Sequence, residues 1–160
     1  MATSHNLVIA LVDAAVWAVW SSVCGYAAHR IPSSRLTRDR GILRLTRAEA
    51  GGRAYERVLR IKQWKDLLPE AGNLFRGGFS KRRVVRHDRA YLEEFTVATR
   101  RAEIAHWPIL ALGPVFFAWN PWWLGLVMVA YAIAANVPCI LVQRYNRARL
   151  LHMLGAERRI

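Results

Sequence analysis

The chain has 160 residues, and its 24 Lys and Arg against 11 Asp and Glu give a formal net charge of +13. Apolar residues make up 54% of it and seven residues are Trp, which excludes disorder, a disulfide scaffold and a soluble coiled coil. A strongly basic chain is typical of proteins that meet nucleic acid or an anionic membrane. Because the apolar content is too high for a basic nucleic-acid arm, we expect a single-domain membrane protein with no nucleic-acid partner.

The first predicted element is a transmembrane helix over residues 7–28, an almost unbroken apolar run that contains Asp13. A helix of this length rises about 33 Å, enough to cross a hydrocarbon core of about 30 Å. The leader before it has no Lys or Arg and the run exceeds the h-region of a signal peptide, so we expect a retained span. Asp13 is assigned no role.

A basic region over residues 29–103 follows and is expected to lie at the cytosolic membrane surface. Within it, apolar residues at helical spacing predict an amphipathic helix, with Trp64 in the interface and Lys62 and Lys65 at lipid phosphates. The apolar positions of this pattern are Ala54, Val58, Ile61, Trp64 and Leu68. The Gly-containing basic stretch over residues 71–87 predicts a loop.

Two further spans are predicted over residues 104–119 and 122–142, separated by a turn at Asn120 and Pro121 that is flanked by tryptophans. The first of them is expected to continue an amphipathic helix that begins near Asp88, a suitable N-cap. The fold class is therefore an all-α integral membrane protein with three transmembrane helices and a basic interfacial helix. Residues 143–160 form a cytosolic tail.

The positive charges predict the orientation of the spans. Nineteen Lys and Arg lie between Arg30 and Arg101, and the other five lie between Arg144 and Arg159. Since cytosolic loops carry the excess of Lys and Arg, both basic regions are expected inside a cell membrane, with the N-terminus and the turn outside. Anionic lipids are expected partners at the inner surface, and the pattern leaves a homo-oligomer open.

Glu103 and His106 are the most suggestive pair for chemistry, because their i, i+3 spacing puts both on one helical face at the inner membrane boundary. A carboxylate can orient an imidazole and stabilise its charged form, as general base catalysis requires. An interfacial ion pair that anchors the span is the alternative. No standard metal or nucleotide motif occurs in the sequence, so no metal or prosthetic group is expected.

The residues after the last span form a second candidate cluster. Asn136 lies within the span, where a polar amide needs a partner, and the segment Gln143–Arg147 follows it. These residues predict either stop-transfer anchors or a cationic pocket for a phosphate or a developing oxyanion. The topology brings Arg30, Glu103–His106 and the Lys62–Lys65 segment to the same depth, which suits an enzyme joining a soluble anionic donor to a lipid acceptor.

Blocks of sequence over most of the chain resemble the glycosyl-4,4'-diaponeurosporenoate acyltransferases, small membrane enzymes of staphyloxanthin-type carotenoid synthesis. The blocks are Arg30–Pro32, Ile61–Lys65, Arg101–Glu103, His106–Trp107, Tyr131–Ala132, Ala135–Pro138, Val142–Arg147 and Arg149–Leu150. The resemblance implies transfer of a fatty acyl group to a sugar hydroxyl of a glycosylated lipid such as a glycosyl carotenoid. Acyl-CoA or another acyl thioester would be the co-substrate.

On this basis we expect His106 to act as general base and Glu103 to orient it. Arg144, Asn146 and Arg147 would hold the phosphates or the thioester oxyanion of the donor, with Lys62 and Lys65 assisting. The remaining substrate-binding candidates are Gln143, Asn136, Trp64, Arg101 and Arg30. The acyl chain would lie between the spans, where Gly113, Gly125, Ala134 and Ala135 leave room.

Two other classes of protein stay open on the sequence alone. A non-catalytic membrane anchor or lipid-binding subunit would account for the charges and the spans equally well. A nucleic-acid binder would require strongly salt-dependent duplex binding.

Overall fold

The computed structural model describes residues 2–68 and 88–157, and within them all regular structure is helical, as predicted. The α-helices of this part of the chain are α1 (Ala2–Arg30), α2 (Arg53–Val58), α3 (Ile61–Trp64), α4 (Arg89–Ala111) and α5 (Trp122–Glu157). The 3₁₀ turns between them cover Ser33–Leu36, Gly41–Leu43, Arg47–Gly52, Lys65–Leu67 and Gly113–Ala118. The loop predicted over residues 71–87 lies outside the described residues.

Two of the described helices are long and apolar enough to cross a membrane, Asn6–Arg30 in α1 and Trp122–Gly155 in α5. Only 11% of the most apolar window of α1 and 28% of that of α5 are buried within the chain. Large aliphatic side chains such as Leu7, Val19 and Val127 are therefore more than half exposed. Continuous apolar surfaces of this kind are not left to water in soluble proteins, so the two helices indicate membrane association.

The start of α4 agrees with the sequence prediction, and its end does not. Asp88 is the N-cap residue, and its side chain accepts a hydrogen bond from the backbone N–H of Tyr91. The α-helix ends at Ala111 and continues as the 3₁₀ segment Gly113–Ala118, so the second predicted span is not one continuous α-helix. Pro114 has no backbone N–H to donate and disfavours a helical residue before it, which explains the change of helix type.

The 3₁₀ segment packs tightly on α5 because two glycines let the backbones approach. A Cβ atom added to Gly125 would lie 2.3 Å from the Phe117 ring, and one added to Gly113 would lie 2.9 Å from the Cβ of Ala132. Both distances are too short for real atoms. The expectation that Gly113 and Gly125 leave room for an acyl chain is therefore wrong, since protein atoms fill that space.

The α4–3₁₀ segment runs antiparallel to α1, and hydrogen bonds join the two at successive depths. The bonds run from Arg101 Nη2 to Ile31 O (3.1 Å), from Trp20 Nε1 to Pro108 O (3.0 Å) and from Trp119 Nε1 to Asp13 Oδ1 (2.7 Å). The packing of α5 on α4 and of α1 on α4 brings the three long elements side by side.

The amphipathic helix predicted around Trp64 is divided in the structure. Arg60 adopts a left-handed conformation (φ 47°), uncommon for a residue with a Cβ, and separates α2 from α3. Ile61 is fully buried against Tyr55 and Tyr145, whereas Val58 is 75% exposed. The prediction of one continuous helix is therefore wrong, because Ile61, Trp64 and Leu68 pack against Tyr145 and Val142 of α5 while Val58 does not.

Candidate active site

A cavity of about 1140 Å³ lies between α1, α4 and α5. Its lining on α1 extends from Asn6 to His29, a helical rise of about 35 Å. The middle of the lining is mostly apolar, including Trp17, Ile109 and Met128. A long apolar cavity between membrane helices suits a lipid chain.

His106 of α4 and Asn136 of α5 both line this cavity and contact each other. His106 Nδ1 lies 3.0 Å from Asn136 Oδ1, and the Asn136 amide nitrogen donates to Ala132 O at 2.9 Å. Because the amide nitrogen is used in that second bond, the oxygen is the atom presented to the imidazole, and Nδ1 must carry the proton. In the neutral ring the basic nitrogen is then Nε2.

Glu103 is fully buried, and its carboxylate binds side chains of α4 and α5. Its Oε1 accepts from Trp107 Nε1 at 3.2 Å and from Arg144 Nη1 at 2.8 Å, and its Oε2 pairs with Arg147 Nη1 at 2.7 Å. Asn136 is the residue that bonds Nδ1 of His106, and the orientation of His106 by Glu103 stays a prediction.

All five N–H groups of Arg144 are directed to protein oxygens. Nε and Nη2 form a fork on the Glu49 carboxylate at 2.7 and 3.0 Å, and Nη1 donates to Glu103. The remaining two donors reach the backbone carbonyls of Ile42 and Arg44, both at 2.9 Å. Arg144 therefore presents no donor to a phosphate in this structure, contrary to the sequence prediction.

Arg147 is also enclosed by protein. It has no exposed side-chain surface, and it pairs with Glu103 at 2.7 Å and with Asp39 at 3.2 Å. Its Nη2 donates to Leu43 O at 2.8 Å, and Arg100 shares the same aspartate at 2.6 Å. The guanidinium is thus part of an ion-pair network between α4, α5 and the turns after α1, with no face open to a donor molecule.

The acids of this network, Asp39 and Glu49, were not predicted as site residues. A capping box holds Glu49, because its carboxylate accepts from the backbone N–H of Thr46 at 2.7 Å. Burial raises the pKa of Glu49, but hydrogen bonds from Arg144, Tyr55 and Thr46 outweigh burial and hold that pKa well below its ordinary value. Burial and the bond to Glu49 raise the pKa of Tyr55. The Thr46–Glu49 spacing is the sequence signal that could have located this turn.

Four predicted site residues line the cavity together: Arg101, His106, Asn136 and Gln143. Asn136 and Gln143 are two helical turns apart on one face of α5. Gln143 is 1% exposed, and neither its amide oxygen nor its amide nitrogen has a hydrogen-bond partner in the described residues. The Arg101 Nε is likewise buried and unpartnered. Buried polar groups are rarely left unpaired, so these atoms mark the polar end of the cavity.

Five other predicted residues do not line the cavity: Arg30, Lys62, Trp64, Lys65 and Asn146. Lys62 and Lys65 pair with Glu56 and Asp66, at 2.8 and 2.7 Å. Arg30 lies at the exposed end of α1, with its guanidinium 5.9 Å from the Tyr26 ring. Within residues 2–68 and 88–157, no group of three or more His, Cys, Asp or Glu could hold a metal ion. The expectation of a reaction without metal stays a prediction.

The apolar helices, the long cavity and the imidazole at its polar end suit a small membrane-associated enzyme with a lipid substrate. Residues 39–156 match the family model described as glycosyl-4,4'-diaponeurosporenoate acyltransferase. The chain belongs to this family, which confirms the resemblance seen in the sequence and makes the chain an acyltransferase. The non-catalytic anchor is therefore not supported.

Curated relatives carry the same description. A glycosyl-4,4'-diaponeurosporenoate acyltransferase of Staphylococcus haemolyticus is 30% identical over 145 residues, covering 90% of this chain and 84% of the relative. Proteins of that name from two strains of Staphylococcus aureus, bovine RF122 and MRSA252, are each 30% identical over 130 residues, covering 81% of this chain and 78% of the relative. No solved structure matches the chain.

Proposed function

We propose that the chain transfers a fatty acyl group from acyl-CoA, or another acyl thioester, to a sugar hydroxyl of a glycosylated lipid such as a glycosyl carotenoid. The observation that carries the proposal is the imidazole of His106, oriented by Asn136 at the polar end of a long apolar cavity. The names of the relatives support the acceptor class, since those proteins are named for a glycosyl carotenoid acid.

In the reaction, Nε2 of His106 takes the proton of the attacking sugar hydroxyl. At the same time, the hydroxyl oxygen forms a bond to the carbonyl carbon of the thioester. The C–S bond then breaks, and the imidazolium returns the proton to the leaving thiolate. Nδ1–H stays bonded to Asn136 Oδ1 throughout, which keeps the ring in one orientation. No metal ion or prosthetic group takes part in this scheme.

Arg101 and Gln143 are suited to bind the reacting groups. Arg101 donates to the uncharged oxygens of Ile31 and Ser33 and has no carboxylate partner in the described part of the chain, so its charge is available to the thioester oxyanion or a donor phosphate. Gln143 offers both a donor and an acceptor, which matches the hydrogen bonding of a sugar hydroxyl.

Glu103, Arg144 and Arg147 act as positioning residues in this proposal. Their ion pairs fasten α4 to α5, and Glu103 lies one turn before His106 on α4. The network therefore sets the separation of His106 and Asn136 without touching substrate. Exposed cations outside the cavity, such as Arg30 and Lys62, would meet anionic lipid phosphates at the inner surface.

We also propose three membrane crossings, with the N-terminus outside and the C-terminus in the cytosol. From Arg101 to Trp119, the α-helical and 3₁₀ parts rise about 30 Å, close to the rise of about 27 Å from Asp13 to Ile31 at the end of α1. Because hydrogen bonds join the two segments near both ends, the α4–3₁₀ segment covers the same depth as α1 over these residues.

The experiment that tests the proposed chemistry replaces His106 by Ala in the full chain and measures acyl transfer from radiolabelled acyl-CoA to an alkyl glucoside. We expect activity to fall by about 10²–10⁴-fold, the usual contribution of a general base. His152→Ala is the matched control, because His152 lies on α5 outside the cavity lining, and it should keep normal turnover. Normal turnover by His106→Ala would remove the mechanism.

A further inference from the structure

Toward the other end of the cavity from His106 lies a second polar cluster, formed by the cavity-lining Asp13 with its partners Trp119 and Asn120. Asp13 lines the cavity and is 2% exposed. Its Oδ1 accepts hydrogen bonds from Trp119 Nε1 at 2.7 Å and from Asn120 Nδ2 at 3.0 Å. Asp13 Oδ2 and Asn120 Oδ1 are also buried, and neither has a hydrogen-bond partner among the described residues.

A purely structural role accounts for only half of this cluster. The two bonds to Asp13 Oδ1 fasten α1 to the turn before α5, but they leave the other two oxygens without donors. The Trp17 indole, which also lines the cavity, donates to Met128 Sδ at 3.5 Å, so its N–H is directed elsewhere. A carboxylate oxygen and an amide oxygen are both acceptors, and the group that would complete the cluster is a hydrogen-bond donor.

The distance between the two polar ends of the cavity determines how long a ligand must be to contact both. Asn136 lines the inner end, and Asn120 is bonded to Asp13, which lines the outer part; the two asparagines are sixteen residues apart in the chain, a helical rise of about 24 Å. The cavity between these ends is lined mainly by apolar side chains such as Ile9, Trp17 and Met128. A molecule that meets both ends must therefore be long, apolar in its middle and polar at each end.

We propose that Asp13 and Asn120 bind a hydroxyl group at the far end of the lipid acceptor, whose sugar lies at His106. The acceptor class is then a glycosylated long-chain lipid that carries a hydroxyl about 24 Å from the sugar. The inference rests on the proposed function for the placement of the sugar. Asp13 lies outside residues 39–156, the part of the chain that matches the family model, so acceptor selection at this end is additional to the family assignment.

The test uses the purified full chain and two series of alkyl glucosides of increasing chain length, one ending in a methyl group and the other in a hydroxyl group. Binding is followed by quenching of tryptophan fluorescence, since Trp17 lines the cavity and Trp119 belongs to the outer cluster. We expect the hydroxyl-ended glucoside to bind about tenfold more tightly at the length that spans about 24 Å, and no better at shorter lengths. Equal affinities at every length, or a preference independent of length, would overturn the inference.

Asp13→Asn gives a second readout. The new amide can donate to Asn120 Oδ1 and complete the cluster internally, so the hydroxyl preference should disappear while binding of the methyl-ended series stays unchanged. Ser21→Ala, which alters another polar cavity position, should keep the preference. An unchanged preference in Asp13→Asn would contradict the assignment, and if that variant does not fold, the wild-type length series decides alone.

Acyl transfer measured on the same glucosides separates the two proposals. A length-dependent hydroxyl preference in binding without any turnover would refute the acyl transfer and leave the outer site standing. Turnover without such a preference would refute the outer site and leave the acyl transfer standing.

Discussion

Arg101 lies two residues before Glu103, and Arg144 binds that same glutamate, yet the two guanidinium groups have different surroundings. Arg144 donates to two carboxylates and two backbone carbonyls, whereas Arg101 donates only to uncharged oxygens and lines the cavity. A count of charges along the sequence cannot separate them, because the partners of Arg144 on Ile42, Arg44 and Glu49 come from segments about 100 residues away.

The substitution Arg144→Lys tests this assignment. Lysine places three donors on one nitrogen and cannot reproduce the fork on Glu49 together with the bonds to Glu103 and the two carbonyls. We expect a loss of about 2–3 kcal/mol of stability, seen as a lower melting temperature in detergent, with the KM for acyl-CoA unchanged.

Arg101→Lys should behave in the opposite way, with a raised KM for acyl-CoA and a nearly unchanged melting temperature. Arg149→Lys is the control for stability, because Arg149 is 46% exposed in its pair with Glu56 and such pairs contribute about 0–1 kcal/mol. A raised KM in Arg144→Lys at normal melting temperature would restore the phosphate-binding role predicted from sequence.

At the scale of elements, the sequence predicts the helices that are marked by a local pattern, such as an apolar run or a cap residue. The apolar run over residues 7–28 lies within α1, the run over residues 122–142 lies within α5, and the Asp88 cap gives the start of α4. The break at Arg60 has no local signal, because Ile61 is placed by its contacts with Tyr145 on α5.

Two element-scale features did have signals in the sequence. Gly113 and Pro114 indicate that an α-helix cannot continue smoothly to residue 119, and the structure changes to a 3₁₀ helix there. The Thr46–Glu49 spacing predicts a capping box, which the structure contains. What the spacing could not show is that the capping carboxylate also binds Arg144, since that contact depends on the tertiary fold.

The capping turn leads to a prediction about pH. The folded-state pKa of Glu49 is lowered, so the stability that this carboxylate contributes is present above its unfolded pKa of about 4.3 and is lost as the pH falls from there toward the folded pKa. Glu49→Gln should therefore melt at a lower temperature than the wild type at pH 7, and its melting temperature should depend less on pH below about 5.

Glu93→Gln is the matched control for that measurement. Glu93 pairs with Arg89 at 2.9 Å on the exposed face of α4, with 54% of its side chain exposed, so its replacement should change the melting temperature little at any pH. Equal melting temperatures of Glu49→Gln and the wild type at pH 7 would contradict the role assigned to the turn.

Across the whole molecule, the residues near the two polar ends of the cavity differ in charge. Glu103, Arg144 and Arg147 join the middle of α4 and of α5 to the turns after α1, next to the polar end of the cavity. The opposite end contains Asp13 and Asn120 but no Lys or Arg, because none occurs before Arg30 or between Arg101 and Arg144. The charge segregation that predicts orientation thus also separates the two polar ends of the cavity.

The number of crossings determines on which side of the membrane the chain ends. With α1 and α5 alone crossing, both termini lie on the same side; if the α4–3₁₀ segment also crosses, they lie on opposite sides.

In a variant whose native Cys24 and Cys139 are replaced by Ala, single cysteines at Asn6, Thr37 and Gly155 occupy exposed positions along this path. We expect an impermeant thiol reagent to label Asn6→Cys in intact cells, and Thr37→Cys and Gly155→Cys only after permeabilisation. Labelling of Gly155→Cys from outside, with Thr37→Cys still protected, would reduce the crossings to two; labelling of Thr37→Cys from outside would reverse the orientation and put His106 on the wrong side for cytosolic acyl-CoA.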